Sequence, residues 1–105
     1  PMVGQGCVAV ECREGDSNTL AAVSSIDHAR TRFAVEIERA FLAELGAGCS
    51  MPVGAYVNEA NVLSTFMATG ATNSDRHVKF VETVPPVDAH EFARELARKS
   101  QSALA

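Results

Sequence analysis

The sequence lacks the marks of several common classes of protein. It carries nine Lys and Arg residues against thirteen Asp and Glu residues, so it has no basic excess for binding nucleic acid. No apolar run approaches the roughly 20 residues of a membrane span, and no signal-peptide pattern is visible. We therefore expect a cytoplasmic protein with neither a nucleic-acid nor a membrane partner. Hydrophobic residues still make up 47% of the chain, which favours a modest core over disorder.

The cysteines are few and badly spaced for a disulfide framework or a zinc site. There are three, Cys7, Cys12 and Cys49, and an odd number without a C-x-x-C pair disfavours both. We therefore predict no metal site. Cys7 and Cys12 are interpreted as small, buried thiols of a protein in a reducing compartment.

The first quarter of the chain predicts a strand and a short helix. Residues 1–6 form a loop, and the segment "CVAVECR" at 7–13 has apolar side chains on both faces, so a strand there needs cover on both sides. A helix is expected at about 17–26, with Leu20 and Val23 turned inward.

The rest of the chain predicts an α+β domain, with two amphipathic helices covering one face of a three-stranded antiparallel sheet. Asp27 is the expected cap of the first helix, and Asp88 with Glu91 forms a capping-box pattern for the last. The expected elements are a helix at 28–45, strands at 53–57, 62–69 and 77–84, and a helix at 88–104.

Hydrophobic spacing predicts which side chains form the core. Alternation in the strands pairs Phe66 with Val62 and Val78 with Phe80 as core positions. The expected interior is Phe33, Ile37, Phe41, Phe66, Phe80, Phe92 and Leu96. This core uses only residues 27–105, so we expect residues 1–26 to belong to a neighbouring α/β domain that is incomplete here.

The most unusual residue is Cys49, which lies in a short loop of small residues after the helix at 28–45. His28 lies at the far end of that helix, roughly 25 Å away for about 17 residues, so no base is evident. The negative end of the helix dipole also disfavours a thiolate. A single covalent attachment therefore suits this thiol better than repeated catalysis by a hydrolase or redox protein, and a loop cysteine without any role is the other interpretation.

Two stretches give the chain a specific resemblance. The segment "ERAFLAELGAGCSMPVGAY" at 38–56 resembles the signature of porphobilinogen deaminase, also called hydroxymethylbilane synthase. The segment "VGQGCVAVECR" at 3–13 resembles a second motif of that family, at a similar distance from the cysteine. Ala47 stands where the family usually has the first of two glycines before the cysteine.

The resemblance implies a function and a cofactor. The family joins four porphobilinogen molecules into hydroxymethylbilane, starting from a dipyrromethane cofactor held by a thioether, and the matching cysteine is Cys49. Gln5 and Gly6 match positions that line the substrate cleft. The catalytic aspartate and the basic cluster belong to the two N-terminal domains, so the resemblance places no catalytic residue in this chain and implies that the chain alone is inactive.

The remaining expectations concern partners. The chain begins with Pro1 rather than Met, so we expect upstream sequence to be missing. The strand at 7–12 should then pair with the missing N-terminal domains of the same enzyme or with a second copy of this chain. The alternative interpretation is a stand-alone α+β module that binds other proteins and has no catalysis.

Overall fold

The computed structural model describes residues 1–46, 51–70 and 76–104. The described elements lie within two residues of the predicted bounds, and the α+β prediction is confirmed. They are helices α1 (Ser17–Ser24), α2 (Ala29–Leu45) and α3 (Ala89–Leu104), and strands β1 (Val53–Val57), β2 (Val62–Ala68) and β3 (His77–Thr83).

The three strands form an antiparallel sheet in the order β1-β2-β3. Gly54 pairs with Phe66 across β1 and β2, and Thr65 pairs with Phe80 across β2 and β3. Helix α2 packs on β1 and on α3, and α3 packs on β3. The two helices thus cover one face of the sheet, and β1 and β3 are its edges.

The core lies between this sheet face and the two helices. Ile37 and Phe41 of α2 are fully buried, and Leu96 of α3 is 2% exposed, which confirms those three predictions. Three further predicted aromatics are half-buried and pack against the core rather than within it: Phe33, Phe80 and Phe92.

The prediction for strand β2 has the wrong face inward. Leu63 and Met67 are the buried side chains, and alternation places Val62 and Phe66 on the opposite face. There the ring of Phe66 stacks on that of His77, with centroids 5.8 Å apart. Both alternating sets of β2 contain apolar residues, so periodicity alone could not choose between them.

The first residue of α2 is set by a histidine rather than by the predicted aspartate. His28 is the N-cap, and its Nδ1 accepts a hydrogen bond from the Thr31 N–H at 3.2 Å. Asp27 instead forms an ion pair with Arg32 at 2.7 Å. The helix ends at Leu45, and Gly46 takes φ = +91°, a backbone conformation that glycine adopts without strain.

The predicted capping box of α3 is not formed. The Glu91 carboxylate accepts hydrogen bonds from Arg94 at 3.2 Å and Arg98 at 2.6 Å, so it does not return to the backbone at Asp88. Ala103, near the end of α3, is exposed. The buried face of α3 is instead made largely of small residues, among them Ala89, Ala93, Ala97 and Ser100.

Residues 7–13 do not form the predicted strand in this chain. Val8 is 88% exposed and Val10 is 55% exposed, and no neighbouring strand in the described structure pairs with them. An extended segment needs such a neighbour to satisfy its backbone amides. Leu20, predicted to point inward, is 57% exposed, and Val23 is half-buried, so α1 contributes no buried residue.

Candidate functional site

Cys49 lies outside the described residues, between helix α2 and strand β1. Helix α2 reaches Leu45, which is 7% exposed, immediately before the loop. Strand β1 begins at Val53, and its Ala55 is fully buried. The loop that carries the predicted cofactor cysteine therefore joins two packed elements of the same core.

Gln5 and Gly6, the predicted substrate residues, lie in an exposed turn. The Gln5 N–H donates to the Met2 carbonyl at 3.0 Å, and the Gln5 side-chain Oε1 accepts from the Met2 N–H at 3.0 Å. Gly6 takes φ = +81°. The turn thus presents Gly6 to solvent, with the Gln5 side chain held back toward its own segment.

Strand β1 fixes this N-terminal segment through a close backbone approach. The Ala55 N–H donates to the Pro1 carbonyl at 2.9 Å. A Cβ atom on Gly54 would lie 2.9 Å from the same carbonyl oxygen, which is too close for any side chain. Gly54 of the family-like motif is therefore required by the chain that packs beside it.

Glu38 is the first residue of the family-like motif, and the resemblance assigned it no role in the site. Its side chain is buried, at 5% exposure. Oε1 accepts from the Gly4 N–H at 2.8 Å, and Oε2 accepts from the Val57 N–H at 3.1 Å. A signal was available, because Glu38 precedes Leu45 by seven residues and so shares its helix face.

Arg30 is a second polar side chain that connects separate elements of the domain. It is half-buried, and its guanidinium donates to the Asn61 side-chain oxygen at 2.6 Å and to the Asn58 carbonyl. Asn61, with φ = +59°, lies in the β1–β2 turn. Arg30 therefore fastens the first turn of α2 to that hairpin.

The histidines occupy structural positions. His28 caps α2, His77 stacks on Phe66, and the His90 Nε2 lies 3.7 Å from the Glu36 carboxylate. In the part of the chain that the structure describes, no three His, Cys, Asp or Glu side chains converge on a metal position. None of the described helices is long and apolar enough to cross a membrane.

An open cleft of about 430 Å³ lies between residues 7–26 and the outer face of α2. Apolar side chains line part of it, and the Asp27–Arg32 ion pair lies at its wall. The hydrogen bond from Arg32 lowers the pKa of the Asp27 carboxyl, and the same bond raises the pKa of Arg32. The lining includes Cys7, Val8, Val10, Leu20, Ile26 and Val35.

These features describe an α+β domain in which the edge strand β1 lies beside the first residues of the chain and follows the segment that carries Cys49. Residues 32–101 match the family model described as the C-terminal domain of porphobilinogen deaminase. The chain belongs to this family.

Named relatives agree with the family match. The chain is 42% identical over 85 residues to the porphobilinogen deaminase of Brevibacillus brevis, an alignment that covers 79% of this chain and 28% of the relative. It is 58% identical over 55 residues to the enzymes of Mycobacterium leprae and Mycobacterium tuberculosis, which covers 52% of this chain and 18% of each relative. The chain therefore spans less than a third of the length of the relatives it matches.

Proposed function

We propose that this chain is the C-terminal part of a porphobilinogen deaminase, which condenses four porphobilinogen molecules into hydroxymethylbilane in tetrapyrrole biosynthesis. The observation that carries the proposal is the family match over residues 32–101, because that range includes Cys49. A cytoplasmic location is part of the same proposal.

Cys49 is the residue that would hold a dipyrromethane cofactor, through a thioether at its sulfur. The described residues on either side of it fit a bulky group on the thiol, since Gly46 and Pro52 are both exposed. Helix α2 and strand β1 flank the segment that carries Cys49, so a group on this thiol would be attached next to the packed core. When bound, the cofactor supplies the pyrrole end on which the product chain is started.

Gln5 and Gly6 are proposed to contact substrate through the peptide backbone and the amide side chain. Gly6 supports this role because its exposed backbone carries no side chain to block a ligand. The Gln5 amide has donor capacity left after its oxygen accepts the Met2 N–H. An N–H donor of this kind suits the carboxylates of porphobilinogen.

Residues 1–26 are proposed to complete a neighbouring domain, and residues 27–105 to form the cofactor-carrying domain. The exposed apolar side chains at Val8 and Val10 support this division, because an added strand would bury them. The partner is then the N-terminal part of the same enzyme, and a second copy of this chain is the alternative. Since the acid–base and carboxylate-binding residues are expected there, the 105-residue chain alone should be inactive.

Intact-mass measurement tests the cofactor proposal directly. The longer protein that contains this chain should carry an adduct of dipyrromethane mass after denaturation, and Cys49→Ser should remove it. Cys12→Ser is the matched control and should keep the adduct. An adduct that survives in Cys49→Ser would assign the cofactor to another residue.

The same proteins test the activity proposal and its alternative. The 105-residue chain should consume no more porphobilinogen than its Cys49→Ser variant, whereas the longer protein should consume it at a measurable rate. A longer protein with neither adduct nor turnover would instead favour a domain that binds other proteins and has no catalysis.

A further inference from the structure

Glu38 is a buried carboxylate whose two oxygens are held by two separate parts of the chain. One bond comes from the Gly4 N–H at 2.8 Å and the other from the Val57 N–H at 3.1 Å. Glu38 takes part in none of the ion pairs of the described residues. Burial of a carboxylate is costly unless its oxygens are hydrogen-bonded, so these two amides are what make its buried position tolerable.

The first four residues are thereby fixed to β1 at both of their ends. Pro1 accepts from the Ala55 N–H at 2.9 Å, and Gly4 donates to Glu38, whose other oxygen caps the Val57 N–H. The backbone N–H groups of Ala55 and Val57, two residues apart, point to the same side of β1, away from β2. The N–H groups of Ala55 and Val57 are therefore satisfied by Pro1 and by the Glu38 carboxylate, respectively.

The position of the following turn, at residues 4–7, depends on this attachment. The Cys7 N–H donates to the Gly4 carbonyl at 3.0 Å, and the Gln5 N–H donates to the Met2 carbonyl at 3.0 Å. Both bonds lie within residues 2–7, so they shape the turn but do not connect it to the domain. The Glu38 bond to Gly4 is the connection nearest to Gln5 and Gly6.

We propose that Glu38 is a positioning residue, whose carboxylate sets the turn of Gln5 and Gly6 at a fixed place beside β1, the strand that leaves the Cys49 loop. The proposal rests on the function proposed above for those three residues. Glu38 itself touches neither substrate nor cofactor in this scheme. Its effect is to fix the position of the Gln5–Gly6 turn relative to the strand that follows Cys49, although these residues are far apart in the sequence.

Amide hydrogen exchange of the 105-residue chain, followed by NMR, tests the proposal. In Glu38→Gln the side chain keeps its size, but its NH₂ group faces one of the two N–H donors, so at least one bond is lost. Because hydrogen bonds to charged acceptors are among the stronger ones, exchange at Gly4, Val57 or both should accelerate about tenfold or more. The amides of Phe41 and Leu96 should keep their rates.

Glu36→Gln is the matched control, since Glu36 lies on the same helix with its side chain 46% exposed, and it should leave the Gly4 and Val57 rates unchanged. Unchanged rates at both amides in Glu38→Gln would overturn the proposal. Equal acceleration at Phe41 and Leu96 would overturn it too, because the carboxylate would then act only through overall stability.

A second variant covers the case in which Glu38→Gln does not fold. Gly4 has φ = +71°, so Gly4→Ala strains the turn while it leaves the carboxylate in place. Exchange should then accelerate at residue 4 and stay slow at Phe41, and an unchanged residue-4 amide would count against the proposal. Neither measurement needs the cofactor, so a missing adduct on Cys49 would refute the proposed function without affecting this result.

Discussion

Residues 7–26 and residues 27–104 contain similar fractions of apolar residues. The two regions differ in how many of those side chains are buried. In the N-terminal segment Val8 is 88% exposed and helix α1 buries no residue. In residues 27–104, Ile37 and Phe41 are fully buried, and the sheet that covers them is formed by the same residues. The difference shows that an apolar sequence does not stabilise a fold unless a complementary surface is present in the chain.

The largest effect should come from the core of the second region. Phe41→Ala should lower the free energy of unfolding by about 3–5 kcal/mol, because it leaves a large cavity in a packed interior. Urea denaturation followed by circular dichroism measures this. Leu20→Ala, at a position 57% exposed in the first region, is the control and should change stability by less than about 0.5 kcal/mol. Equal losses in the two variants would show that apolar side chains of the two regions contribute equally to stability.

A smaller effect is expected where α2 joins the β1–β2 hairpin. Arg30→Ala should cost about 1–3 kcal/mol, since it removes charged hydrogen bonds to Asn61 and Asn58 from a half-buried position. The same denaturation experiment measures the loss. Arg39→Ala, on an exposed part of the same helix, should be nearly neutral, and a loss as large as that of Arg30→Ala would mean that the hairpin contact is not what makes Arg30 important, since alanine itself favours a helix.

Acid should weaken helix α1, which lies in the first region. Asp16 caps α1, and the hydrogen bond from the Thr19 N–H lowers the pKa of its carboxyl below the ordinary 3.8. A lowered pKa stabilises the helix at pH values above 3.8, and this support is lost as the pH falls through the lowered value. NMR should therefore show the Thr19 amide losing protection below about pH 3.8.

Asp16→Asn should largely remove this pH dependence, since asparagine can cap the helix without titrating. Glu14→Gln is the control and should leave the acid response of Thr19 unchanged. A Thr19 amide whose protection falls equally in all three proteins would show that the cap does not control the acid response.

The smallest effect in this chain is expected at its most exposed valine. Val8→Lys should change the stability of the 105-residue chain by no more than about 0.5 kcal/mol, because the side chain is already in water. In the longer protein the same change should be clearly destabilising if residues 7–12 pair there with another strand. A neutral result in both proteins would mean that the exposed segment has no partner, and the proposed domain division would fail.

Much of the secondary structure could be predicted because its determinants are local. Gly46 ends α2 where the apolar stripe ends, and β1 covers the predicted 53–57. The three-stranded sheet and its helical cover follow from this order of elements, since two amphipathic helices can bury one face of a small meander. The cysteine motif also pointed to the family that the comparison supports.

From residue 17 onward the sequence by itself determined where helices and strands form, because spacing, caps and breakers act over a few residues, whereas the predicted strand at 7–13 also needed a partner strand. Tertiary structure alone decided which face of β2 turns inward, since Leu63 and Met67 or Val62 and Phe66 satisfy the same alternation. It also decided that Glu38 is buried, because its two donors, Gly4 and Val57, lie 34 and 19 residues away. A carboxylate in an apolar stripe becomes acceptable only when folding brings distant amides to it.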